Sequence, residues 1–132
     1  MKHITSILFL TNAVHALIRG AYLYSASFAA LTMTSVAVHV TEIDSAKWDT
    51  LFWVDQAAIF SVFLLGLYYV FQVHSSLQML AVITILVVIL IYYGGWLTDS
   101  CCFDSCETAA IHAHCCMHII GSFGHHAIMF GL

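Results

Sequence analysis

The chain has no proline and very little charge: 8% of its 132 residues are Asp, Glu, Lys or Arg, and only three of these are basic. Three Lys and Arg against seven Asp and Glu leave nothing with which to grip phosphate, so a nucleic-acid binder is excluded. The same arithmetic excludes a disordered tail and a secreted disulfide knot. What is present is apolar. Hydrophobic residues make up 62% of the sequence and the mean hydropathy is +0.97, whereas soluble domains run near half apolar and a quarter charged. These proportions predict a small all-α protein, a polytopic transmembrane helix bundle. Nine histidines and five cysteines stand against that background; such side chains are expensive in lipid and point to a use.

A helix crossing hydrocarbon needs roughly 20 predominantly apolar residues. Cutting the sequence at its polar breaks gives about five crossings within a single domain, residues 1–132. The first two, Ile4 to Ile18 and Ala21 to Thr41, are joined at Arg19-Gly20, because one helix over both would reach about 55 Å and overrun the membrane. Trp48 to Phe71, Met79 to Leu97 and Thr108 to Leu132 follow, separated by loops at 42–47, 72–78 and 98–107. The last segment carries His112, His114, His118, His125 and His126, which marks a helix lining an interior. Lys2 ahead of an apolar run resembles a signal peptide, but no small-x-small cleavage site follows, so the segment is expected to be kept.

Five crossings place all seven acidic residues on the side that bears the N-terminus. Arg19 in the first loop favours a cytoplasmic position for that loop and hence an extracellular or lumenal N-terminus, although Lys2 and Lys47 oppose it. Ser35, His39, Asp55, His114 and His118 then all fall in the same half of the membrane. Counting inward from the loops puts His39 roughly 4 Å, and Asp55 and His114 roughly 10 to 12 Å, below the boundary.

His114 and His118 are one helical turn apart and can present two imidazole nitrogens to one ion. A third histidine from a neighbouring helix completes the three-ligand set of a catalytic Zn2+ with an open fourth position. Such an ion lowers the pKa of bound water and polarises a carbonyl. Asp55, set between Phe52-Trp53-Val54 and Ala57-Ala58-Ile59, is the nearest carboxylate to take the proton. Ser35, one turn deeper than His39, is placed to hydrogen-bond the water or a developing oxyanion; its small side chain equally suits helix packing.

Ser35-x-x-x-His39, then Asp55, then His114-x-x-x-His118 on the last helix resembles the signature of the CREST superfamily of membrane hydrolases, which includes alkaline ceramidases, adiponectin and progestin receptors, hemolysin III-like and myomaker-like proteins. The segment from Thr32 to His39 is similar to the second-helix motif of the myomaker-like branch, and that from Val54 to Phe60 to the aspartate motif of the hemolysin III-like branch. Gly121-Ser122 is similar to the last helix of the group. The resemblance implies zinc on His39, His114 and His118, with Asp55 and Ser35 as catalytic groups beside it. It also implies a membrane lipid substrate of the ceramide-like amide or ester class. The chain departs from the group in having five expected crossings where members usually have seven, and Val38 where many carry Tyr.

Competing expectations are a receptor-like or fusion-related membrane protein with a structural zinc, and a haem or metal transport protein built on the last helix. His125 and His126 are candidates for a deeper proton or haem site, while His3, His15 and His74 are expected to be structural or interfacial. Cys101, Cys102 and Cys106 are expected to form disulfides only on an extracellular side. Ile91-Tyr92-Tyr93 reads as an interfacial anchor. Self-association, or a partner membrane subunit supplying further helices, would complete a bundle this small.

Overall fold

A computed structural model describes residues 1–41 and 45–132, and the side chains of all of these except 3 and 45–49. Residues 42–44 of the second expected loop, and the side chains of His3, Lys47 and Asp49, therefore lie outside the described residues. Those described are helical almost throughout, with no strand among them. Helix is the state in which a chain satisfies its own backbone polar groups without water, and no proline interrupts it.

The elements are α1 (Lys2–Ser6), α2 (Leu8–Ile18), α3 (Tyr22–Val40), α4 (Ser45–Val70), α5 (Ser75–Ile89), a π turn (Leu90–Gly94), α6 (Gly95–Thr98), a 3-10 turn (Cys101–Phe103) and α7 (Glu107–Gly131). Between α1 and α2, Ile7 keeps helical torsions, so the two form one slightly broken segment. The reversal into α3 is fixed by Gly20 at φ +76°: its amide bonds Leu17 O at 3.0 Å and the Ala21 amide bonds Ala16 O at 2.9 Å. This is a Schellman ending, which needs the left-handed torsion that glycine adopts without strain. The fourth segment starts at Ser75, earlier than the Met79 expected from hydropathy, because serine and glutamine lower hydropathy without ending a helix. For the same reason α4 opens at Ser45, inside the expected loop.

Among the described residues, three helical segments are long and apolar enough to cross a membrane: Tyr22–Val40, Thr50–Val70 and Ser75–Thr98. Ile4–Ile18 is a shorter apolar helix, and α7, at 25 residues, has the length but carries five histidines. Large apolar side chains lie on the outside of the bundle and several polar ones within it. Leu97 is 87% exposed and Ile18 and Phe71 76%, whereas Ser6, Asn12, Ser35, Asp55, Thr84, His118 and Ser122 are buried. Around the bundle α5 packs on α7, α7 on α2, α2 on α3 and α3 on α4, while α4 and α5 touch least. The ring is therefore loosest between α4 and α5.

Candidate metal centre

Three helices each turn one stripe toward the interior of that ring. On α3 the stripe is Phe28, Leu31, Ser35, Val38 and His39; on α4 it is Phe52, Asp55, Ile59, Val62 and Phe63; on α7 it is His114, Met117, His118, Gly121 and His125. Each follows the three-to-four residue spacing of one helix face. Together with α5 they enclose a cavity of about 620 Å³.

At one end of the cavity His39, His114 and His118 meet, with one ring nitrogen from each lying within 4.8 Å of the others. The ring centroids are 4.8 Å apart for His39 and His114, 5.8 Å for His39 and His118, and 4.6 Å for His114 and His118. These three could hold one metal ion.

The hydrogen bonds around Thr5 favour one tautomer of His118. Thr5 Oγ1 lies 2.8 Å from the Lys2 carbonyl and 2.9 Å from His118 Nδ1. A hydroxyl has a single proton, and the carbonyl can only accept, so Thr5 donates to Lys2 and accepts from the His118 Nδ1–H. Nε2 of His118 is then the unprotonated nitrogen, the form in which imidazole binds a cation. A polar partner on the second ring nitrogen is what orients metal-binding histidines. The donor set and this partner both fit a borderline ion such as zinc.

Asp55 is buried and lines the same cavity, with Oδ1 accepting a hydrogen bond of 2.7 Å from Thr34 Oγ1. Ser35 is also buried on the cavity wall, and its hydroxyl is 2.8 Å from Ser6 Oγ. Lys2 lines the cavity and its ammonium lies within electrostatic reach of His114 and His118. Five residues that composition and spacing single out thus line one cavity, three of them around one point.

Other participants were not legible. Thr5 and Ser6 belong to the N-terminal segment and meet the site only through packing. Tyr92, expected as an interfacial anchor, instead lines the cavity: its hydroxyl accepts from Gln56 Nε2 at 3.0 Å and its ring centroid is 6.4 Å from that of His114. It sits in the π turn, a local widening of the helix that recurs at functional sites. His125 and His126 do not form a joint site. His125 shares the face of His118, seven residues on, whereas His126 turns away and pairs with His15 through Nδ1 atoms 2.8 Å apart. The spacing 114, 118, 121, 125 was the available signal for His125.

The five cysteines are free thiols. Burial pushes the Cys102 thiol up to about 11, with Cys101 beside it acting in the same direction and Lys2 opposing. Compared with known proteins, the chain matches no family model, and no curated protein or solved structure is significantly similar to it.

Proposed function

We propose that the chain is a multi-pass membrane protein that hydrolyses an amide or ester bond of a membrane lipid with zinc held by His39, His114 and His118. The observation that carries this reading is the convergence of three imidazoles at one end of a mostly apolar cavity that also holds Asp55. In the same reading the chain crosses five times with its N-terminus outside or lumenal, and lipid reaches the cavity sideways where α4 and α5 part. Phe60, 57% exposed and also lining the cavity, marks that opening. The resemblance to the ceramidase-containing superfamily is a likeness of motifs and supplies the substrate class.

When bound, zinc would polarise the scissile carbonyl and bring a water molecule's pKa toward neutrality. The chain's own residues do the rest. Thr34 holds Asp55 by Oδ1, leaving Oδ2 to accept a proton and pass it to the leaving group. Thr5 holds His118 with Nε2 inward. The apolar walls exclude bulk water and hold the acyl chain.

A structural ion is the second reading, and one observation favours it: α3 and α7 do not pack backbone to backbone, so an ion would join two helices that otherwise meet through side chains. Elemental analysis of purified protein tests the site itself. About one zinc per chain is expected, lost in His114→Ala; unchanged metal content removes both readings. Asp55→Ala separates them. Loss of lipid hydrolysis with zinc retained supports the enzyme, while unaltered cellular activity with zinc retained supports the structural role.

A further inference from the structure

The far end of the cavity has a polar group that the metal reading does not use. His125 lines the cavity two helical turns beyond His118, a separation of roughly 10 Å along α7. Its Nδ1 is hydrogen-bonded to the hydroxyl of Tyr24, which is fully buried. Phe28 packs edge-on against the imidazole with centroids 5.0 Å apart. Gly66 makes the room, since a Cβ there would lie 3.0 Å from His125 Cε1 and 3.3 Å from the Tyr24 hydroxyl.

The pair is incompletely satisfied in either tautomer. If Tyr24 donates to Nδ1, the proton sits on Nε2, which has no partner among the described residues. If Nδ1–H donates to Tyr24, the tyrosine proton is the one without an acceptor. Either way one donor remains at the end of an apolar cavity, where leaving it unmade is costly.

We propose that His125 and Tyr24 form a recognition point for an oxygen atom on the far part of a bound acyl chain, so that the cavity selects hydroxylated or otherwise oxygenated chains over plain ones. The head group then lies at the three-histidine end and the chain runs along α7. This rests on the reading of the cavity as a lipid site, but not on zinc or on turnover.

The test is calorimetric binding of ω-hydroxydecanoic acid and decanoic acid to chelator-treated protein in detergent. One added hydrogen bond is expected to favour the hydroxy acid about three- to tenfold. His125→Phe should bring the ratio close to one. Gly66→Ala, a helix-favouring change that pushes on the imidazole, should lower it too and guards against a folding defect in the first variant. Equal binding of the two acids by the unaltered protein, or a ratio that survives both substitutions, overturns the proposal. Because the protein is metal-free, failure of the hydrolase reading appears separately, as absent zinc or absent turnover with the ratio intact.

Discussion

Thr5 shows how much of a site can depend on one proton. Its hydroxyl bridges the Lys2 carbonyl and His118 Nδ1, and Thr5→Val keeps the shape while removing the acceptor. His118 is then free to swap tautomer or rotate, and metal affinity should fall roughly ten- to a hundredfold. Competition with a chromophoric chelator measures this, with Thr5→Ser expected to stay close to the original; equal affinity in Thr5→Val would refute the assignment. Cys102 gives a second residue-scale expectation. Its thiol is held up to about 11 mainly by burial, and the thiolate is the reactive form. Alkylation of a variant retaining only Cys102 should therefore be slow at pH 8 and accelerate as pH rises toward 11. A rate at pH 8 equal to that of a free thiol in solution would contradict it. Legibility at this scale divides cleanly. His39, Asp55, His114 and His118 stand out because ionisable groups among apolar neighbours demand a reason, and the i, i+4 step is visible in the string. Thr5, Ser6 and Gln56 are ordinary polar residues whose partners lie 29 to 113 positions away, so only packing reveals them.

Between elements, the helices share a hydrophobic core; in the proposed membrane setting, where apolar contact gains little over lipid, close approach and paired polar groups would carry most of the specificity. Asn12 on α2 donates from Nδ2 to the Ser122 carbonyl at 2.9 Å, and its Oδ1 accepts from Ser122 Oγ at 2.6 Å. Both residues are buried. Asn12→Ala strands two groups of α7 and should destabilise the protein by about 1 to 2 kcal/mol in reversible detergent unfolding. Ser122→Ala added to it should cost little more, because the partner is already gone. Full additivity would show that the pair is not coupled. Where α5 meets α7, a Cβ at Gly124 would come within 2.8 Å of Thr84 Cβ. Gly124→Ala must push these helices apart and is expected to lose about 1 to 3 kcal/mol. The existence of each of these helices was readable from hydropathy, but their ends were not. Hydropathy reports what a residue costs in lipid, while helix ends are set by backbone bonding, so α4 and α5 both begin earlier than the apolar runs.

For the molecule as a whole, an apolar exterior and an interior that shelters Asn12, Ser35, Asp55, His118 and Ser122 are consistent with a membrane setting. The last helix has two faces: Ile119, Phe123 and Phe130 are all more than half exposed, whereas His114, His118 and His125 turn toward the cavity. Among the described residues three helical segments are long and apolar enough to cross a membrane, and Ile4–Ile18 and α7 pack beside them. The exterior can be probed with tryptophan. Trp53 is 66% and Trp96 54% exposed, each near one end of its apolar segment, a position that matches the interfacial preference of the indole ring. Phe60 is 57% exposed and lies ten residues inside Thr50–Val70, roughly 15 Å along the axis and about half the hydrocarbon thickness. In vesicles of brominated lipids, variants retaining only Trp53 or only Trp96 should be quenched best by bromines near the headgroup. A tryptophan-free background carrying Phe60→Trp should be quenched best by bromines near the acyl terminus and little by aqueous iodide. Strong iodide quenching at position 60 would mean that the α4 surface faces water, and the lateral opening for lipid between α4 and α5 would then have to be abandoned.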